Sequence, residues 1–244
     1  MNMKSKKNII IYIIVITVFI LILGVVYFIT HYAVIDNKIH KNDIKYLRVY
    51  SLDDYEIKEI NKCTKIKEIF LSRASENSVS KLRNFHNLTD LTVTRSRISS
   101  LDSEKISAFH NLKKLYTNMN VMDLKGFNSN TISYISLSFS EIKNLESLSE
   151  CPMLKHLTIF NSIISDNYIV KEDNKYIIKD SSIFKSFDYI EELWISVDKI
   201  KDISGILEMD SLKEFKVDKG TLSEEDKKLL EDKGISVIYY DKNE

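Results

Sequence analysis

The sequence predicts a solenoid of stacked α/β coils carried behind a single membrane-spanning helix. Two observations predict it: an apolar triplet that recurs at nearly constant spacing, and a 21-residue stretch without charge, Ile9 to Ile29. A third narrows the class. One proline and five glycines in 244 residues exclude collagen-like, glycine-linker and proline-rich architectures. With 44% hydrophobic and 29% charged residues, the chain can bury a core and is not of the disordered class.

The first eight residues carry Lys4, Lys6 and Lys7 and no acid. From Ile9 to Ile29 the residues are almost all Ile, Val, Leu, Phe and Tyr, interrupted by Thr17 and Gly24. At about 1.5 Å per residue this stretch spans roughly 32 Å, which matches a hydrocarbon core of about 30 Å. A buried core helix would show a polar face, and this one shows none. The stretch is longer than a secretory signal's apolar region and ends in bulky Tyr27-Phe28-Ile29-Thr30-His31-Tyr32, so an uncleaved signal anchor is expected. The nearer lysine cluster should stay cytoplasmic, which places the remainder outside as a single-pass cell-membrane protein.

The triplet, apolar-x-x-apolar-x-apolar, recurs eight times and reads as a short strand. It appears as Ile44/Leu47/Val49, Ile66/Ile69/Leu71, Leu88/Leu91/Val93 and Leu112/Leu115/Thr117. It continues as Ile132/Ile135/Leu137, Leu154/Leu157/Ile159, Ile190/Leu193/Ile195 and Leu212/Phe215/Val217. First positions are 22, 22, 24, 20, 22, 36 and 22 residues apart, a period diagnostic of a repeat architecture. Six residues before the strand stand Ile60, Leu82, Ile106, Leu148, Phe184 and Ile206, and three before it Cys63, Phe85, Phe109, Cys151, Phe187 and Met209. The fifth unit has Gly126 and Ser129 there, so Phe127 should substitute. Spacing by three suits a 3₁₀ or short helical turn returning along the coil's far side. Neither half buries its apolar face alone; neighbouring coils must do it.

On these residues the chain resembles a bacterial leucine-rich repeat protein of the internalin-like kind, over roughly residues 44–221. Leu145, Leu148, Cys151, Leu154, Leu157 and Ile159 occupy the leucine positions of its 22-residue unit. The resemblance implies a parallel β-sheet on the concave face and short helical or 3₁₀ turns on the convex face. The family also carries an asparagine after each strand. Here that slot holds Ser96, Asn120, Ser140, Ser162 and Asp198, and it fails at Leu52, Ala74 and Gly220.

The expected organisation is a basic tail (1–8), an anchor (9–29), a linker and amino-terminal cap (30–43), eight repeats (44–221) and a carboxy-terminal helix–strand cap (222–244). In the cap, Ser223 with Asp226 forms a capping-box pattern, the helix runs to Lys233, Gly234 ends it, and Ile235 to Tyr240 reads as a closing strand. The 36-residue interval is 14 residues longer than the common unit. Its extra segment, within about 165–183, reads as a hairpin turning at Asp173-Asn174.

Chemistry is sparse. No HExxH, GxSxG, GxGxxG or P-loop motif occurs, so no catalytic residue, metal ligand or small-molecule cofactor is assigned. Lys+Arg 35 against Asp+Glu 35 advertises no nucleic-acid partner. His86 and His110 fill the same slot of consecutive units, Phe-His-Asn-Leu, and are explained by repeat duplication. The sequon Asn87-Leu88-Thr89 overlaps a core position and reads as incidental. Cys63 and Cys151 share a repeat position four coils apart, roughly 19 Å at about 4.8 Å per strand. A disulfide needs Cα atoms within about 7 Å, so two buried free thiols are expected.

Binding is expected on the outward strand columns. Between the second and third apolar positions stand Arg48, Phe70, Thr92, Tyr116, Ser136, Thr158, Trp194 and Lys216. The next column runs Tyr50, Ser72, Thr94, Asn118, Ser138, Phe160, Ser196 and Asp218, and a third includes Tyr134 and His156. Exposed aromatics are enriched at binding hot spots, although they also favour strands intrinsically. Candidate ligand-binding residues are therefore Trp194, Phe160, Tyr116, Phe70 and Tyr134, with Tyr168 and Tyr176 of the inserted hairpin. The reading is a membrane-anchored, non-enzymatic module that binds a protein ligand on its concave face, in adhesion or envelope recognition. The alternatives are a structural accessory subunit of a membrane complex and a cytoplasm-facing tethered regulator.

Overall fold

The computed structural model describes residues 3–35, 38–49, 54–73, 85–94, 101–102, 106, 109–118 and 120–241. Leu82, Ser96, Tyr50, Leu52 and Ala74, singled out above, lie outside the described residues.

Helix α1 (Met3–His31) extends six residues before the apolar stretch and two beyond it. From Ile13 onward its side chains are exposed all round, Phe19 at 60% for example, so the protein itself buries none of them. Thr17 Oγ1 donates to the Ile13 carbonyl at 2.8 Å and Thr30 Oγ1 to that of Val26, so both hydroxyls are satisfied within the helix. Within the stretch expected as linker and amino-terminal cap, β1 (Tyr32–Ile35) and β2 (Lys38–Lys41) form an antiparallel hairpin. Ala33 and Ile35 are fully buried, and this hairpin, together with α2 (Asp54–Ile60), closes the first coil.

Every apolar triplet yields a strand. The concave sheet contains β3 (Tyr46–Val49), β4 (Glu68–Ser72), β5 (Asp90–Thr94), β7 (Lys114–Asn118), β9 (Tyr134–Ser138), β11 (His156–Phe160), β15 (Glu192–Ser196) and β17 (Glu214–Asp218). A ninth strand, β18 (Ser236–Tyr240), closes it, and all neighbours pair in parallel. Register follows the triplets, as Leu157↔Leu193 and Ile159↔Ile195 illustrate. The second and third apolar residues of each strand point inward and are buried. The turn positions pack against them: Ile60, Phe184 and Ile206 are fully buried, and Phe127 replaces the missing apolar residues of the fifth unit at 1% exposure. Gly126 beside it takes φ +68, which frees the chain to swing Phe127 inward. A cleft of about 260 Å³ opens next to this 20-residue unit, between Phe109, Phe127 and Asn130.

A second ladder runs along the edge where each coil turns away from the concave sheet. It contains β6 (Leu101–Asp102), β8 (Val121–Asp123), β10 (Glu141–Lys143), β12 (Ile163–Ile164), β13 (Ile169–Glu172), β14 (Lys175–Ile178) and β16 (Lys199–Ile200). The inserted hairpin, β13 and β14, is part of it. β13 pairs antiparallel with β12, β14 antiparallel with β13, and β14 parallel with β16. Asp173 and Asn174 turn it with φ +47 and +62, the two left-handed residues of a type I′ hairpin. The concave sheet makes one step from β11 to β15 where this ladder makes three, about 14 Å against about 5 Å. The hairpin therefore wedges two coils apart on one side only.

The degenerate asparagine slot is served by hydroxyls and a carboxylate. Ser162 Oγ accepts from the Ser140 amide at 3.2 Å and donates to the Phe160 carbonyl, and Asp198 Oδ2 accepts from the Tyr176 amide at 2.7 Å. On the convex side, coils follow 3₁₀ turns at Leu145–Glu150 and Ser182–Ser186 and a single helical turn, α3 (Ser204–Leu207). Ser181 Oγ accepts from the Gly205 amide at 2.8 Å and donates to Asp202 Oδ2, which also accepts from the Ser181 amide. A Cβ on Gly205 would lie 1.9 Å from the Ser181 carbonyl oxygen, so only glycine fits.

The cap helix α4 (Glu224–Asp232) starts at Ser223, whose hydroxyl accepts from the Asp226 amide at 3.0 Å, and ends before Gly234 at φ +88. Both cysteines are buried free thiols, and burial pushes each up to about 11.

Candidate functional site

The outward columns are not uniformly open. Thr158, Ser196 and Asp218, expected to face solvent, are buried, because bulky neighbours lie over them and Ser196 Oγ donates to Asp218 Oδ2 at 2.7 Å. Their burial marks a crowded stretch of the sheet around β11, β15 and β17. There Trp194 on β15 stands between Thr158 and Lys216, its in-register neighbours. The small Thr158 leaves space beside the indole, and Tyr134 and His156 wall that space on the far side. Tyr240 of β18 reaches back across β17 and stacks on Trp194, with centroids 4.5 Å apart and planes at 17°. The result is a pocket of about 170 Å³.

The floor of the pocket is charged and ordered. Lys216 Nζ reaches Glu192 Oε2 at 3.2 Å and also pairs with Glu214, while His156 Nδ1 approaches Glu192 Oε2 at 3.1 Å. Hydrogen bonding to Glu214, and then to Glu192, holds the Lys216 ammonium above its ordinary range against the opposing effect of burial. Burial works against ionisation of Glu192, but hydrogen bonds from Lys216 and His156 outweigh it and keep its carboxyl below the usual value. Tyr134 Oη lies 3.4 Å from Thr158 Oγ1. Against this satisfied network, the buried indole N–H of Trp194 donates to no described group. A buried donor without an acceptor costs free energy that an arriving acceptor recovers.

The structure sorts the seven expected residues into separate places. Trp194 and Tyr134 line the pocket, and Tyr116 packs against Tyr134 with centroids 5.0 Å apart and planes tilted by 35°, extending the aromatic row by one strand. Phe160 is not part of the pocket lining; at the end of β11 its ring meets Phe139 edge-on at 5.3 Å. Phe70 lies far along the sheet beneath the guanidinium of Arg48, 4.6 Å away. Tyr176 belongs to β14 of the second ladder and Tyr168 to the turn just before β13, and both pack, partly buried, against the core. The hairpin is thus carried on the second edge and does not join Phe160 and Trp194 on the concave sheet, a correction to the grouping expected from sequence.

Four contributors lie outside the expected set: His156, Glu192 and Lys216, which face outward but are polar, and Tyr240 of the closing strand. Phe139, 53% exposed with φ +52, was missed because it follows β9 and falls outside strand alternation. A bulky residue in the left-handed region is strained. Arg73 and Asn161 hold the same conformation after their strands, and in each case the amide reaches the carbonyl ending the next strand.

The pocket has binding groups but no nucleophile poised against a base. Among the described residues no group of three or more His, Cys, Asp or Glu could hold a metal ion.

Fold and site together define a leucine-rich repeat solenoid with an aromatic pocket near the end of its concave sheet. Among solved structures, it is similar to internalin C2 of Listeria monocytogenes, with TM-score 0.54 and 16% identity over 84% of this chain and 86% of that one. It also matches internalin F of the same organism at TM-score 0.44 and 16% identity, over 76% of this chain and 64% of that one. The first likeness shows the internalin-type repeat fold. No family model matches the chain, and no curated protein matches it in sequence.

Proposed function

We propose that the chain is a membrane-anchored, non-enzymatic recognition protein that holds a protein partner on its concave sheet. The helix α1 is the anchor, the solenoid stands outside the cytoplasm, and adhesion or envelope recognition is the task. The Trp194 pocket is the observation that carries this reading. At about 170 Å³ it is too small for a drug-sized ligand, for which about 300 Å³ is the lower bound, and is suited to one anchoring side chain. Aromatic walls supply apolar contact, and the unpartnered indole N–H favours an acceptor on the entering group.

Proximity labelling from the full-length protein in its own membrane tests the reading. Trp194→Ala is expected to reduce capture of the labelled partner about thirtyfold, the size of a hot-spot truncation, with the thermal midpoint little changed. Unchanged capture by a folded Trp194→Ala/Tyr134→Ala variant contradicts it. Protease added to sealed cells is expected to degrade residues after 45; resistance until lysis assigns the solenoid to the cytoplasm and supports the tethered-regulator alternative. The accessory-subunit alternative is favoured by β18, an edge strand without charge that a neighbouring subunit can extend.

A further inference from the structure

We infer that the cleft where α1 meets the first coil binds the phosphate headgroup of an anionic phospholipid. The cleft measures about 480 Å³ and is lined by Tyr27 of α1, by Tyr32 at the start of β1, and by Lys41, Lys62 and Lys65 from the coil. It is built by hydrogen bonds that clamp the coil to the helix. The Asn42 amide donates to the His31 carbonyl at 2.9 Å, and Asn42 Nδ2 donates to that of Thr30 at 2.7 Å. These carbonyls close the last turn of the helix and would otherwise lack partners.

Depth selects the ligand. A helix of this apolar length brings Tyr27 and Tyr32 to the headgroup level, where aromatic residues gather at a bilayer surface. Tyr27 stacks on His31 at 4.2 Å and Phe28 on Tyr32 at 5.1 Å, so the helix exit is a firm aromatic collar. Charge selects it further. Lys62 is neutralised by Glu59 at 2.5 Å, whereas among the described residues no carboxylate pairs with Lys41 or Lys65. Both are exposed and line the cleft, with Asp43 the single acidic residue among its lining. Two unpaired ammonium groups beside aromatic rings at the lipid surface form a phosphate site, and the phosphates at that depth belong to lipid.

The inference rests on α1 lying in a bilayer, so the test reads insertion and lipid choice separately. The full chain is reconstituted into nanodiscs of phosphatidylcholine with a minor fraction of phosphatidylglycerol, and co-elution with the discs reports the anchor. Lipid retained after gentle extraction, weighed by native mass spectrometry, reports the cleft. Phosphatidylglycerol is expected to be enriched over its share of the disc. Lys41→Gln should cut the enrichment about fivefold and Lys41→Gln/Lys65→Gln about thirtyfold, whereas Lys113→Gln/Lys228→Gln, exposed and remote, leaves it intact. Enrichment that survives the Lys41→Gln/Lys65→Gln change, or retention in disc proportions by an inserted chain, overturns the site and leaves the anchor standing. Displacement of the lipid by inorganic phosphate also overturns it, as the mark of a small-anion site. Failure to co-elute with the discs overturns both.

Discussion

The two ladders of this solenoid respond differently to the same insertion. On the concave sheet β11 hydrogen-bonds directly to β15, five residues in register, as though the extra 14 residues between them did not exist. Along the second edge those residues become β13 and β14 and push β12 and β16 three steps apart. The difference lies in how strongly register is specified. Five-residue strands with two inward apolar side chains fix their pairing, because a slip would turn leucines outward. Two-residue strands such as Ile163–Ile164 carry no such penalty, so an insertion enters there. It enters as strands because every backbone group it buries must find a partner.

Four changes break or sharpen this contrast. Gly205→Ala should be the most damaging, since its Cβ would sit inside the Ser181 peptide of the coil beside the hairpin. A loss on the order of 3 kcal/mol is expected in chemical denaturation, with early loss of the coils after residue 180 in hydrogen exchange. Next, Asp173→Ala/Asn174→Ala should cost about 1–2 kcal/mol by placing alanine at two positive-φ positions, while the concave ladder keeps its exchange protection. Equal loss of protection on both ladders would show that they are not separable.

Thr117→Val should stabilise. Thr117 is 3% exposed at a core position of β7, and its buried hydroxyl has no partner among the described residues, so removing it is expected to gain about 1 kcal/mol. The smallest effect concerns acid. Burial disfavours the Asp202 carboxylate, but hydrogen bonds from the Ser181 and Ser204 amides and hydroxyls outweigh it and lower its pKa from 3.8. A depressed folded-state pKa gives stability that is complete above about pH 4 and is lost as pH falls through the folded value. Asp202→Asn should therefore lose stability at neutral pH but show a shallower acid transition below that point, measured by circular dichroism.

The repeat period carried most of the architecture. Leu47, Leu91, Leu157 and Phe215 were legible as core because each recurs in a triplet whose spacing chance does not maintain. Ser223 and Gly234 were legible because helix ends have local chemistry, and Asp173-Asn174 because a tight hairpin needs residues tolerant of positive φ. The hairpin's destination was not legible. Strands two residues long have no period to read. Nor was the Trp194–Tyr240 stack, which joins strands two coils apart through the length of a side chain rather than through any spacing. The hairpin at residues 32–41 escaped for a similar reason, as its alternation covers only four residues per strand.

The placement of Cys63 and Cys151 bears on where the chain can mature. Each fills a turn pocket in its own coil, fully buried and held protonated to about pH 11. While the fold is intact, neither side chain offers the exposed thiolate that oxidation or disulfide exchange needs. The folded solenoid is therefore held together without a disulfide between them, and its integrity is expected to be the same in reducing and in oxidising surroundings.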